Sequence, residues 1–171
     1  MYNIGDYVIY KRDGVCRIEG ISHLAMAAAE KCLYYHLRPV KYEGRIYVPV
    51  NQDGGLRPLI GSGEARALLD SLAALPAPVS RARDKKSLQE HYDALLSGNT
   101  CDALARTVKS IYAKHLTDSG TLGRMPSMEE QILRRSEQAL CEELALALGL
   151  SEESVRARIE KTFAASARVS A

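Results

Sequence analysis

The stretch GDYVIYKRDGVCRIEGI, residues 5–21, decides how the first third of the chain is built. In its first arm Tyr7 and Ile9 fall on one face, Val8 and Tyr10 on the other. In its second, Val15, Arg17, Glu19 and Ile21 oppose Cys16, Ile18 and Gly20. Period-two alternation of β-branched and aromatic residues marks strands with one buried face. Residues 11–14 between the arms end in Asp13-Gly14, a strong hairpin signal. Neither arm carries a catalytic pattern. Two more strand-like runs follow, CLYYHLRPV (32–40) and RIYVPV (45–50), with Pro39 and Pro49 near their ends, where a missing N–H is tolerated. Residues 23–31 (HLAMAAAEK) suit either a helical turn or a long strand-to-strand loop. Four or five short strands in sixty residues predict a small antiparallel barrel of the SH3 or Tudor kind.

After Gly61 the period changes to one near 3.6. GEARALLDSLAAL (63–75) places Ala67, Leu68, Leu72 and Leu75 on one stripe. PAPVSRARDKK (76–86) holds two prolines and reads as an inter-domain hinge. Ser87 with Glu90 forms a capping box for a helix through Leu96, and Gly98 stops it. Asn99 opens a helix with Leu104, Val108, Ile111, Tyr112 and His115 on its apolar stripe. Ser127 with Glu130 is a second capping box, for a helix of about five turns ending at Gly149. Ser151 caps a last helix that fades near Phe163. The expected class is α+β: a β-barrel domain at 1–60, a connecting helix and hinge at 61–80, and an all-α bundle at 81–171.

Composition narrows the function. Apolar residues make up 46% and charged residues 26%, as in ordinary globular chains. The apolar runs are too short to span a membrane, and the N-terminus lacks a secretory profile, so a cytoplasmic location is expected. Net charge is +2, and residues 1–76 carry nine Lys and Arg against eight Asp and Glu. Any nucleic-acid contact must therefore come from local clustering. Arg81, Arg83, Lys85 and Lys86 cluster at the hinge, Arg106 and Lys109 share a helix face, and Arg134 and Arg135 are adjacent. Brought together, such groups would track phosphates.

Enzymatic chemistry is not expected. Cys16, Cys32, Cys101 and Cys141 form no CxxC pair, and His23, His36, His91 and His115 are scattered. No cofactor or metal is expected. A thiol enzyme built on Cys16 or Cys32 lacks a base positioned in sequence. GLRPLIGSGEA (55–65) lacks the Lys-Ser/Thr of a nucleotide loop and reads as a strand-to-helix turn.

The ordered set GDYVIY…DGVCRIEGI, LYYHLRPV, IYVPVNQ, LLSGN (95–99) and ELALALG (143–149) resembles the CarD/CdnL family of bacterial transcription regulators. Its RNA-polymerase-interacting domain is shared with the transcription-repair coupling factor. The resemblance implies a Tudor-like domain docking on the polymerase β subunit through an exposed strand edge. Leu24, Ala25 and Met26 fall on the contacting strand, with Tyr35 and Ile46 as further contacts. It also implies a helical domain that holds promoter DNA and modulates open-complex formation. Arg134 and Arg135 fall nearest the family's basic contacts before the Leu-Gly-rich end of the long helix, and the clustered Arg81, Arg83, Lys85, Lys86, Arg106 and Lys109 are the other candidates for holding DNA. The family's wedging tryptophan has no counterpart, because the chain contains no Trp. The alternative is a polymerase-docking adaptor without DNA binding.

Overall fold

In the computed structural model, which describes residues 1–11, 13–24, 32–52 and 55–169, strands come first and helices after. The strands are β1 (Tyr7–Tyr10), β2 (Gly14–His23), β3 (Leu33–Pro39), β4 (Ile46–Pro49) and β5 (Leu56–Pro58). They form one antiparallel sheet in the order β4-β3-β2-β1-β5. The β1–β2 hairpin pairs Val8 with Cys16 and Ile9 with Val15. Gly14 closes the turn at φ +71, a conformation that glycine adopts without the Cβ clash of other residues.

Alternation holds in β2 only as far as Ile18. The register against β3 then shifts between Ile18 and Gly20. This bulge adds a residue to one strand and reverses the parity beyond it. Ile21 therefore packs on the same core as Cys16 and Ile18, not on the face of Val15. That core is Val8, Cys16, Ile18, Tyr35, Leu37 and Val48, each at most 2% exposed. Burying an aliphatic side chain of this size contributes about 1.5–3 kcal/mol before entropy is counted.

The expected barrel is an open sheet among the described residues, with β4 and β5 as its two margins. Both margins are short. β5 has three residues and ends in Pro58, and β4 has four and ends in Pro49. Strands this short, each with an amide missing, offer little ladder with which to close a barrel.

The chain divides into two compact units, Met1–Leu59 and Ile60–Ala171. The second contains α1 (Ser62–Ser71) with a 3-10 turn over Leu72–Ala74, then α2 (Lys85–Leu96), α3 (Cys101–His115), α4 (Ser127–Leu148) and α5 (Glu152–Val169). α3 packs on α2, α4 and α5. Their shared core includes Leu72, Tyr92, Val108, Ile111, Leu140, Leu144, Ile159 and Phe163, each at most 1% exposed. α1 contributes Ala65, Leu68 and Leu69 to it, whereas Ala67 faces solvent. Residues 61–80, expected as a connecting helix and hinge, thus lie inside the second unit and share its core.

The caps differ from expectation in instructive ways. α2 starts at Lys85, and Asp84 is its N-cap, accepting a bond from the Ser87 amide at 2.8 Å. Asp84 precedes Ser87 by three residues and is an equally good cap, so the helix begins a turn earlier. α3 is capped by Thr100 through the Ala103 amide, while Asn99 turns the chain at φ +44. α4 follows Pro126 without a side-chain cap, and Ser127 is its first residue. Its other end is a Schellman closure: Gly149 sits at φ +65 and the Leu150 amide reaches the Ala145 carbonyl at 2.9 Å. Ser151 caps α5 as expected, and that helix continues past Phe163 to Val169.

Candidate docking edge and basic strap

Among the described residues of the first unit, strand edges without a paired neighbour lie in two places. β4 pairs only with β3, so its other side is an edge. β1 pairs with β2 only over residues 14–17, and residues 20–23 of β2 pair only with β3. Leu24 follows directly and is half-buried, while Ala25 and Met26 lie outside the described residues.

Side chains sort by parity around these edges. Ile46 packs toward the sheet core, and Val48 is 2% exposed. Tyr47 between them points outward at 42% exposure, its ring edge-on to His36 at 4.9 Å. Leu33 on β3 is also exposed. The outward face is opened further by Gly20, where a Cβ would lie 3.2 Å from His36 Nδ1. Ser22 Oγ sits 2.9 Å from His36 Nε2. Tyr35, expected among the polymerase contacts, is 1% exposed and belongs to the sheet core, its hydroxyl accepting the Tyr2 amide at 3.1 Å. Tyr47 is not among the residues expected from the sequence, yet it stands exposed on this face. Period two from Val48 places it outward, and that signal was present in RIYVPV.

Arg38 and Glu19 meet at 3.2 Å, beside Glu43, Gly44 and Arg45 in a shallow polar groove. Tyr42 donates to Asp13 at 2.6 Å, and this bond pushes its phenol up to about 12.

In the second unit the basic residues separate into three groups. Residues 81–86 form the first. Arg81, Arg83, Lys85 and Lys86 are all exposed, and Lys86 has only a loose 3.9 Å contact with Glu90. Arg134 and Arg135, the second group, are exposed on α4, with Arg134 3.5 Å from Glu130. The third group, on α3, is engaged within the protein. Arg106 holds Asp102 one turn away at 2.5 Å. Lys109 Nζ donates to the carbonyls of Leu72, Ala73 and Leu75 at 3.2, 2.5 and 2.8 Å. Burial lowers its pKa. Lys109, expected to face phosphate, instead closes the C-terminal end of α1 and its 3-10 turn. Unmatched carbonyls at a helix end attract a cation there.

Beneath these surfaces lies a buried carboxylate. Glu129, on the first turn of α4, has a fully buried side chain. It accepts from Tyr92 at 2.6 Å, Lys114 at 2.8 Å and His115 at 2.7 Å, tying α2 and α3 to α4. Burial would raise its pKa, but the bonds from Lys114, Tyr92 and His115 outweigh burial and lower it. Glu137, against Tyr112 and 3.5 Å from Arg156, is raised because burial dominates.

No group of three or more His, Cys, Asp or Glu among the described residues could hold a metal. No helix among them is long and apolar enough to cross a membrane. Cys16, Cys101 and Cys141 are buried, and burial pushes the Cys141 thiol up to about 11. Cys32 is half-buried. Thiol labelling of the native protein is expected to modify Cys32 first, with Cys141 reacting only on unfolding. Peptide mapping that found Cys141 labelled first would contradict this burial.

Among its described residues the first unit is thus an antiparallel sheet, not closed, with an outward aromatic at Tyr47. Residues 2–60, which make up nearly all of the first unit, match the family model of the CarD-like/TRCF RID domain. A search of curated proteins finds no match.

Proposed function

We propose that the protein is a CarD-like transcription regulator that docks on the β subunit of RNA polymerase and contacts promoter DNA, modulating open-complex formation. The observation that carries the docking is the RID match over residues 2–60, supported by strand edges that no other described strand covers. A partner strand laid along β4, or along residues 20–23 of β2, gains backbone hydrogen bonds, and Tyr47, Leu33 and Leu24 supply side-chain selectivity. The reading predicts that the full chain captures isolated β subunit and that Tyr47→Ala weakens capture about tenfold, as for an interfacial aromatic. Failure of the intact chain to capture the β subunit would remove the proposal.

The DNA contact rests on Arg81, Arg83, Lys85 and Lys86, with Arg134 and Arg135 as a second group and Arg106 as a weaker member. These residues offer no base-reading pattern, so the contact is to backbone phosphates and specificity comes from the polymerase. A docking adaptor without DNA binding is the second reading. It is favoured by the internal engagement of Lys109 and Arg106 and by the small net charge. Salt separates the two, because four phosphate contacts predict a log–log slope of about −3.6 for duplex DNA. An adaptor shows no DNA binding at any salt.

A further inference from the structure

We infer that Lys109 and Ser110 of α3 are positioning residues that hold residues 72–84 as a rigid strap and so present Arg81 and Arg83 outward; the inference rests on the proposed DNA role of those arginines.

Residues 75–83 belong to no helix or strand, and Pro76 and Pro78 lack amides that could join one. A segment of this kind would ordinarily be mobile. Here two of its carbonyls, those of Leu75 and Pro78, accept from side chains of one helix, and Leu72 and Ala73 of the preceding 3-10 turn are held by the same helix. The three protons of the Lys109 ammonium go to the carbonyls of Leu72, Ala73 and Leu75, which uses its whole donor capacity. The next residue, Ser110, is buried and donates to the Pro78 carbonyl at 2.7 Å. Two residues on, Ser80 is 8% exposed and its hydroxyl accepts the Ala82 amide at 3.2 Å. Ala82 packs on the helical core. Asp84 then caps α2.

The consequence is an alternation. Ser80 and Ala82 face inward, while Arg81 and Arg83 face outward, with Lys85 and Lys86 on the helical turn that follows. Two arginines at i and i+2 on an extended chain point the same way. Fixing them before binding removes part of the entropy loss otherwise charged against a phosphate contact. Lys109 contributes to DNA affinity through this segment and not by touching phosphate.

The test uses the full chain and two variants, Lys109→Met and the milder Ser110→Ala, each confirmed folded by its helical circular dichroism and melting profile. Trypsin cleavage after Arg81 and Arg83 without DNA is expected to rise about tenfold or more in Lys109→Met, as loss of charge-assisted bonds implies. A smaller rise is expected in Ser110→Ala. Unchanged cleavage in both variants overturns the strap. The second arm is a double-mutant cycle on a short DNA duplex. Lys109→Met should weaken binding in the wild-type background and add little once Arg81 and Arg83 are both alanine. Equal, additive losses in both backgrounds would assign Lys109 a phosphate contact of its own and overturn the positioning role. Absence of DNA binding by the unaltered protein defeats the DNA reading and the role assigned toward it, while the cleavage arm still decides whether the strap exists.

Discussion

Glu129→Gln is expected to destabilise the helical unit by about 3 kcal/mol at neutral pH, the low end of the range for breaking a buried ion pair. The substitution keeps the volume and removes the charge that Lys114, His115 and Tyr92 converge on. The low end applies because Lys114 is 23% exposed and can turn toward water, whereas the Tyr92 hydroxyl has no such route. The pH dependence follows from the direction of the shift. The folded-state pKa of Glu129 lies below its ordinary 4.5, so its contribution is fully present above about pH 4.5 and is lost as pH falls through the folded value. Glu137 acts the other way. Its pKa is raised, so ionisation of that carboxyl opposes folding at neutral pH, and the penalty is relieved on acidification. The gap in unfolding free energy between wild type and Glu129→Gln should therefore be widest near neutrality and narrow below pH 4.5. Urea melts followed by the helical signal measure it. A constant gap across that range would show that the charge of Glu129 is not what ties the three helices.

Tyr35→Ala is expected to cost about 3–5 kcal/mol, as for other buried aromatics, and to abolish polymerase capture by unfolding the first unit. The ring is closed off among Ile18, Leu37 and Val48, lies edge-on to Tyr2 at 5.9 Å, and its hydroxyl holds the Tyr2 amide. A unit of this size has a small core and little stability in reserve, so a loss of that magnitude shifts most molecules to the unfolded state. Tyr47→Ala separates stability from docking. Its ring is 42% exposed and lies edge-on to His36, so its removal should change stability by no more than about 1 kcal/mol while weakening capture. Capture intact in Tyr35→Ala, or a large drop in melting temperature in Tyr47→Ala, would reverse the two assignments.

Tyr35 lies in the core and Tyr47 faces outward, a difference that alternation within each strand does not fix. Both lie in alternating runs, and alternation says only that neighbours face opposite ways. Which face is inward depends on what the other strands bring. The bulge after Ile18 makes the same point, since it moves Ile21 to the core side against strict parity. Lys109 is the sharper case. On a helical wheel it is a polar residue beside Arg106, and nothing local distinguishes the two. One ends on a carboxylate a turn away and the other on three carbonyls over thirty residues back along the chain.

Hairpin, helix stripes, the glycine stop at Gly149 and the motifs within residues 2–60 that match the RID family were legible from the residues alone because each arises from neighbours within a few positions: turn chemistry, periodicity and caps. Glu129's buried partners, the anchored strap before α2, and the choice of Tyr47 over Tyr35 at the surface come from contacts between residues distant in the chain. Those contacts form only when helices and strands pack, and the free energy of burial and of pairing charges there depends on which groups arrive together.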